Sequence, residues 1–362
     1  MVQFDGCQST ICVDRIGKCN KVWLFPLILF VMGILSETVI LIYVTFVPIL
    51  IPPFMKLFNK YKMDRRMLST VINSGLQLGY VCIPIGIGAV YMGIVQGAVE
   101  SNGLSVAFSE IWKANLPIAI SLIVGVIVAV IFYRKPRDYG EVVEDGAVSV
   151  ENMEVAKMEA KHWFTIIAAV IIVVVLFITN NIPLSATCGV IFLIISGVIS
   201  PKNLTRDFEK NIKVMAYGCF VMMAASGFGT VTQEVGDVDT LVAAVTTLLG
   251  GSKLIGAFIM LLLGLVVTMG IGTSFGTVPI VATVLVPLGL NLNMSPAAIV
   301  MLVAAAGALG DSGSPASENT LVCTSVFNSD GKHNHIHDTC IPAFFLVDVP
   351  ILLICSVAAC FM

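Results

Sequence analysis

A succession of apolar stretches runs from near residue 22 to the end of the sequence. A helix that spans a bilayer needs about 20 apolar residues, within a range of roughly 17–25. The stretches lie at about 22–35, 39–55, 68–95, 114–133, 163–179, 184–200, 214–230, 240–249, 254–271, 278–290, 296–309 and 340–361. Because several are too short to span alone, we expect about eight to ten crossings together with two hairpin-like breaks.

The composition excludes a soluble globular domain. Hydrophobic residues make up 57% of the 362 positions and charged residues only 12%, whereas globular domains carry roughly 25% charged residues. The net charge is −3 and no basic aromatic patch is present, so we do not expect a nucleic-acid partner. P-loop, H-E-x-x-H and dinucleotide-binding patterns are absent, so we expect neither an enzyme nor an ATP-driven pump. The sequence predicts an all-α, polytopic transmembrane helical bundle.

Lys and Arg residues concentrate in three polar segments, 56–66, 134–161 and 201–213. Short loops rich in these residues stay on the cytoplasmic side of a membrane, and two crossings separate each segment from the next. We therefore expect all three segments to be cytoplasmic. The expected organisation is a polar N-terminal segment with an altered start (1–20), a first transmembrane repeat (21–133), a charged cytoplasmic linker (134–162) and a second transmembrane repeat (163–362).

Two pairs of segments indicate an internal repeat. Ser36–Pro52 aligns without gaps with Ser274–Leu290, and Gly79–Pro84 has the same G-x-x-x-x-P frame as Gly310–Pro315. A loop rich in Lys and Arg follows the first copy, whereas residues 289–295 after the second contain none, so equivalent segments should point to opposite sides. Inverted repeats of this kind occur in secondary transporters, whose sites lie where broken helices meet near the midplane. Fewer apolar segments precede the first copy, so we expect the first repeat to be truncated.

The polar sequence GDSGSPASENT at 310–320 interrupts an apolar region. Backbone broken at membrane depth is tolerated only where it is buried in protein or lines a wet cavity, and carboxylates there indicate function. The candidate binding residues of this break are Asp311, Ser312, Ser314, Ser317, Glu318 and Asn319. We expect Asp311 to bind a cation or a proton, with Glu318 in support but not on the same face.

A second break, GIGTSFGTVP at 270–279, supplies the hydroxyl groups of Thr273, Ser274 and Thr277. Oxygen ligands suit a hard cation such as Na⁺, although small residues also serve close helix packing.

Three polar side chains outside the breaks are further candidates. Glu37 is an acid within apolar sequence, and its alternative position is the outer membrane interface. Asn73 and Gln77 lie one helical turn apart and could either line the cavity or bond another helix. The run 330–338, with three alternating histidines, is interpreted as a polar loop and not as a metal site.

The stretches GTSFGTVPIVATVLVP (272–287) and GALGDSGSPASENTLVCTSVFNSDGKHNHIHDT (307–339) resemble the bacterial Na⁺/H⁺ antiporter family related to the NhaC type, within the ion-transporter superfamily. The segment FVPILIPPFMKLFNKYKMDRR (46–66) is similar to the first half of that family. The resemblance implies inverted repeats with hairpins, and Na⁺ and H⁺ as transported or coupling ions with no other cofactor. Members of the family begin with additional helices, which agrees with a truncated first repeat.

The expected function is therefore secondary active transport in the bacterial inner membrane, with sodium exchanged for protons. The alternative is a Na⁺- or H⁺-coupled permease for an amino acid such as histidine, or for another small organic solute. The expected partners are membrane lipid and a small cation, or an amino acid in the second case. A homodimer formed through the scaffold is expected from the resemblance alone.

Overall fold

The computed structural model describes residues 24–39, 46–139, 160–179, 182–199, 227, 231 and 252–362. Within these ranges the regular secondary structure is helical, which confirms the predicted all-α fold. The earlier helices are α1 (Leu24–Thr38), α2 (Phe46–Lys60), α3 (Arg65–Cys82), α4 (Ile87–Ser101), α5 (Phe108–Ala114) and α6 (Leu116–Phe132). The later helices are α7 (Ala160–Thr179), α8 (Ile182–Ile195), α9 (Lys253–Ile271), α10 (Ser274–Asn291), α11 (Pro296–Ala308), α12 (Glu318–Phe327) and α13 (His335–Ala358).

Several helical segments are long and apolar enough to cross a membrane. In the described part of the chain they are Phe108–Phe132, Lys253–Ile271, Ser274–Asn291 and His335–Ala358, and the bent pair of α3 and α4 is a fifth candidate. The outer faces carry exposed apolar side chains such as Ile131 and Val266, which suit contact with lipid. The chain is therefore a multi-pass membrane protein.

Part of the expected organisation falls outside the described residues. The polar segment 1–20 and most of the linker 134–162 lie there, as do nearly all of the apolar stretches 214–230 and 240–249. The total number of crossings and the division into two repeats therefore stay predictions.

Helix α11 lies at the centre of the bundle, because every side chain from Ala298 to Ala308 is buried. It packs against α4, α9 and α10. Small residues allow the close approach, since a Cβ added to Gly264 of α9 would lie only 2.3 Å from the Ala306 Cβ. Thr268 of α9 donates its hydroxyl to the Ala306 carbonyl at 3.0 Å. This contact helps to satisfy the carbonyl groups left unpaired where α11 ends.

Among the described residues, two helix breaks coincide with the two G-x-x-x-x-P sequences, and a third separates α9 from α10 at residues 272–273. Helices α3 and α4 meet at a bend of 55° across residues 83–86, and residues 309–317 separate α11 from α12. The broken helices expected from the sequence are thus present. The ungapped alignment of Ser36 with Ser274 is not matched in helix position, because Ser36 lies in the last turn of α1 and Ser274 begins α10. The inverted sense of the repeat stays a prediction.

A buried ion pair joins the start of α3 to the loop after α12. The guanidinium of Arg65 contacts both carboxylate oxygens of Asp330 at 2.6 Å and donates to the Phe327 carbonyl at 2.6 Å. Hydrogen bonds from Arg65 hold the pKa of Asp330 below its usual range. The backbone N–H of Arg137 donates to the Lys62 carbonyl at 2.9 Å. The first two predicted cytoplasmic loops therefore meet on one side of the bundle.

The histidine-rich run after α12 forms hydrogen bonds with threonine side chains. His333 is buried, with its Nε2 2.7 Å from the Thr339 hydroxyl, and His335 Nδ1 lies 2.7 Å from the Thr324 hydroxyl. Burial lowers the pKa of His333 to about 4, because the charged imidazolium is poorly solvated inside the protein. Among the residues that the structure describes, no cluster of three or more metal-binding side chains occurs.

Candidate ion-binding site

Asp311 is buried in the break between α11 and α12, where three neutral groups donate hydrogen bonds to its carboxylate. The Tyr80 hydroxyl and the Asn319 side-chain amide donate to Oδ2 at 2.7 and 3.0 Å. The Ser317 hydroxyl donates to Oδ1 at 2.7 Å. Since none of these donors carries a charge, the carboxylate is solvated by dipoles but its negative charge is not neutralised.

The shape of this break follows from its glycines and serines. Gly310 adopts a φ of +86°, a left-handed conformation that favours glycine, and lets the chain turn as α11 ends. The Ser314 N–H then donates to the Gly310 carbonyl at 2.7 Å. Ser317 caps α12 by accepting the Asn319 N–H at 3.2 Å. The same serine thus starts the helix and donates its own proton to Asp311.

The break after α9 packs directly on the break after α11. Ser314 donates its hydroxyl to the Met269 carbonyl at 2.9 Å. Gly272 ends α9 with a φ of +74°, and a Cβ at this position would lie 2.7 Å from the Ala316 carbonyl oxygen. Both the backbone angle and the close approach therefore require glycine at this position. The two interrupted sequences, far apart along the chain, form one region.

Ser274 belongs to this region through its contact with Tyr80, because the two hydroxyl oxygens lie 2.8 Å apart. Residues 272–276 read G-x-S-x-G, which is also the pattern around hydrolase nucleophiles. Here the serine contacts a tyrosine and not a histidine, and it begins a buried helix. Its hydroxyl therefore extends the hydrogen-bonded chain from Asp311 to the break after α9.

Helix α3 also supplies amide side chains to the site. Gln77 donates to the Ala308 carbonyl at 2.7 Å and accepts the Ser312 hydroxyl at 2.7 Å. One turn earlier, Asn73 accepts a long bond of 3.8 Å from the Cys323 thiol. The side-chain nitrogen of Asn73 is buried without a hydrogen-bond partner among the described residues. Gln77 therefore faces the break between α11 and α12, and Asn73 faces α12.

Glu37 lies against α3 next to the site. A Cβ added to Gly79 would be 2.7 Å from the Glu37 Cβ, so the glycine leaves room for the acid beside Tyr80. The Glu37 side chain is fully buried, which does not favour the alternative position at the membrane interface. Both of its carboxylate oxygens lack a hydrogen-bond partner in the described part of the chain.

Besides Glu37, the predicted residues Glu318, Thr277 and Thr273 stand outside the hydrogen-bonded cluster around Asp311. Glu318 is in the first turn of α12, but its side chain is exposed. The Thr277 hydroxyl donates to the Thr273 carbonyl at 2.8 Å within its own helix, and the Thr273 side chain is half-buried. These residues adjoin the site, whereas Ser274, Ser317 and Asn319 reach Asp311 directly or through Tyr80.

Two residues of the region, Tyr80 and Asp348, were not predicted from the sequence. Asp348 of α13 is buried, and its Oδ1 accepts the Gly310 N–H at 3.1 Å. It interrupts the apolar stretch 340–361, so the criterion that selected Glu37 would have found it. A tyrosine in an apolar helix gives no comparable signal, because its ring suits a hydrophobic core and its hydroxyl needs only one partner.

In the part of the chain that the structure describes, the buried ionisable side chains around Asp311 are carboxyl and phenol groups, and none is basic. Asp311, Glu37 and Asp348 are buried, and the ion pairs of the described residues join other side chains, in and near the polar loops. Buried carboxyl groups without a basic partner favour positively charged ligands. If their O–H bonds rotate, the hydroxyls of Tyr80 and Ser317 present lone pairs, which are suitable ligands for a hard cation.

A model of the Na⁺/H⁺ antiporter family matches residues 93–359, a range that contains both helix breaks of the second half. The chain belongs to the Na⁺/H⁺ antiporter family. The resemblance inferred from the sequence is confirmed by this match. The protein is a membrane transporter and not an enzyme.

The relatives agree with this family. The putative amino acid transporter YuiF of Bacillus subtilis is 36% identical over 358 residues, covering 96% of this chain and 78% of that protein. An uncharacterized membrane protein of Vibrio parahaemolyticus is 38% identical over 330 residues, covering 90% of this chain and 74% of that protein. The crystal structure of the YdaH transporter of Alcanivorax borkumensis is similar in fold, with a TM-score of 0.66 at 15% identity, over 97% of this chain and 80% of that one.

Proposed function

We propose that the protein exchanges Na⁺ for H⁺ across a bacterial inner membrane, with Asp311 as the group that binds the two ions in turn. The observation that carries the proposal is the burial of Asp311 where two helix breaks pack together, with hydrogen bonds from neutral groups only. Membership of the antiporter family supports these ions as cargo. Relatives from Bacillus and Vibrio support the bacterial inner membrane.

The chemistry of exchange follows from competition at one carboxylate. A proton and Na⁺ both neutralise the negative charge of Asp311. A protonated carboxyl group attracts Na⁺ only weakly, so the two ions compete for this side chain. Sodium needs several oxygen ligands, and the hydroxyls of Tyr80 and Ser317 lie within hydrogen-bond distance of the carboxylate. Further oxygens of the region are those of Thr273, Ser274, Thr277, Ser312, Ser314 and Asn319.

The position of Asp311 also suits alternating access. It lies where two interrupted helical elements meet, and binding sites of secondary transporters are found at such junctions. Unbroken helices such as α6 would act as the scaffold against which the breaks move. The exposed Glu318 would attract cations to the site. Glu37, Asn73 and Gln77 would line the cavity beside Asp311.

Reconstitution into vesicles tests the proposal. An imposed Na⁺ gradient should drive a change of internal pH without any added solute, and the Asp311→Asn variant should abolish it. Asp138→Asn is a matched control, because it makes the same change in a largely exposed carboxylate that pairs with Lys62. If Asp311→Asn exchanges ions as well as the wild type does, Asp311 is not the ion-binding group.

A second candidate function is Na⁺- or H⁺-coupled uptake of an amino acid, because the Bacillus subtilis relative is named a putative amino acid transporter. The acidic site would then hold the ammonium group and the coupling cation. Helix N-termini at the breaks would hold the carboxylate of the amino acid. In the same vesicles, ion movement that depends on added histidine or another amino acid would favour this candidate over exchange alone.

A further inference from the structure

Asp348 is a buried carboxyl group that touches the break on either side of Asp311. Its Oδ1 accepts the N–H of Gly310 at 3.1 Å. A Cβ added to Gly313 would lie 2.4 Å from its Oδ2, so only glycine lets the carboxyl group approach this closely. Asp348 ends a short π-helical segment, Phe344–Asp348, within α13. Such segments are frequent at functional sites.

The two aspartates differ in how well their surroundings solvate a negative charge. Three side-chain donors bond Asp311. Asp348 is only 1% exposed, and its Oδ2 is a buried oxygen without a hydrogen-bond partner among the described residues. An ionised carboxylate without a side-chain donor is unfavourable in a buried position, and the negative charge of nearby Asp311 makes it more so. A proton on Asp348 removes this penalty.

No basic side chain of the described residues neutralises Asp348. Segment 344–348 packs against α3, α6 and the rest of α13. Helix α6 contains no titratable residue, and neither does the central helix α11. The titratable groups at the near end of α3 are Tyr80 and Cys82. Besides Asp348, α13 carries Cys355 and, towards its start, Cys340, Asp338, His337 and His335. The arginines at the far end of α3 already pair with Asp330 and Asp64.

We propose that Asp348 is a second proton-carrying group of the transporter, coupled to Asp311 through the backbone of Gly310. A proton from water bonds to Oδ2 on one side of the membrane, and the same O–H bond breaks on the other side to regenerate the carboxylate. The inference rests on the proposed Na⁺/H⁺ exchange. Asp311 would trade Na⁺ for one proton while Asp348 carries another, so each cycle would move net charge.

Transport stoichiometry tests whether Asp311 and Asp348 each carry one proton. In vesicles, the membrane potential at which Na⁺ and H⁺ fluxes cancel gives the number of protons moved per Na⁺. The wild type should move more than one proton per Na⁺, and Asp348→Asn should move one fewer and lose the dependence on membrane potential. Asp348→Glu should restore that dependence, and the Asp138→Asn control should match the wild type. An unchanged stoichiometry in Asp348→Asn overturns the proposal.

Infrared spectra of the purified protein test whether Asp348 is protonated. This measurement does not need transport, so it can also be made on a variant that has lost transport. A protonated buried carboxyl group gives a C=O stretching band distinct from that of a carboxylate, and this band should lose intensity in Asp348→Asn. A band unchanged in Asp348→Asn but lost in Glu37→Gln places the proton on Glu37 and overturns the proposal. By contrast, a wild type that moves no protons with Na⁺ would refute the proposed exchange, while the infrared band would still report on Asp348.

Discussion

The phenol of Tyr80 donates a 2.7 Å hydrogen bond to the carboxylate of Asp311, although the two residues are 231 positions apart in the sequence. The same offset aligns the two G-x-x-x-x-P frames, Gly79–Pro84 and Gly310–Pro315. Equivalent residues of two related halves touch each other only near the axis that relates them. This contact supports the predicted repeat and would put its two-fold axis beside the candidate ion site.

Removal of the Tyr80 hydroxyl should weaken sodium binding. Tyr80→Phe keeps the ring but deletes one donor to a buried carboxylate and one potential ligand. If the hydroxyl turns to ligate Na⁺, its loss removes a charge-assisted contact from the sodium-bound state. On the scale of a hydrogen bond to a charged group, about 1.5–3 kcal/mol, we expect the Kd for Na⁺ to rise about tenfold or more. Tyr91→Phe is the matched control, because the Tyr91 hydroxyl donates to the Ala304 carbonyl at 2.7 Å. Equal sodium affinities in the two variants would contradict the role given to Tyr80.

Gly310 should be intolerant of a side chain for two separable reasons. Gly310→Ala forces a left-handed φ on a residue with a Cβ, which costs about 1–2 kcal/mol. The added Cβ would also lie 2.8 Å from the Met269 side chain. Gly331→Ala meets the same backbone penalty, at a φ of +71°, but has nothing within 4 Å. The Tm in detergent and the exchange rate should both fall further in Gly310→Ala, and equal losses would argue against tight packing at the break.

The buried ion pair of Arg65 should contribute far more to stability than an exposed pair nearby. Arg65→Met leaves the Asp330 carboxylate without its main partner, and breaking a buried pair costs about 3–5 kcal/mol. Lys62→Met breaks the pair with Asp138, whose members are both more than half exposed, and should cost at most about 1 kcal/mol. Thermal unfolding of both variants in detergent measures the difference. Similar Tm values would show that the Arg65 pair is not effectively buried.

The buried His333 should make stability depend on pH. Its pKa of about 4 lies below the value of 6.5 expected in the unfolded chain. Between these values the unfolded state binds more protons, so the free energy of unfolding should decrease as the pH falls from about 6.5 to about 4. The slope from this group is at most about 1.4 kcal/mol for each pH unit. His333→Gln should flatten the Tm profile in that interval and His337→Gln should not. Identical profiles in the two variants would contradict burial of His333.

The helical fold and the two breaks could be predicted because they depend on local chemistry. Apolar stretches of spanning length define helices in lipid, and Gly and Pro among polar residues mark where they stop. The ungapped alignment pairs Ser36, near the end of α1, with Ser274, at the start of α10. Such a mismatch arises because apolar segments resemble one another in any register. The sequence also could not show that the two later breaks pack together, since that contact joins Met269 to Ser314 across the bundle.

Only part of the candidate site could be predicted, because the sequence signals single residues but not their partners on other helices. An acid in an apolar stretch is a strong signal, and it identified Asp311 and Glu37. Asp348 carries the same signal and was missed. Proximity in sequence was a poor guide for Glu318, which lies beside Ser317 but is exposed. Tyr80 could not be inferred, because its role comes entirely from a partner on another helix.

Helix α3 is attached to the later part of the chain at both of its ends. Tyr80 bonds the break before α12, and Arg65 bonds the loop that follows α12. A helix fixed at two points cannot tilt or slide relative to the element that holds it. Any transport cycle that preserves these contacts must therefore carry α3, α12 and Asp311 together as one body, and the sliding surfaces must lie on the other faces of that body.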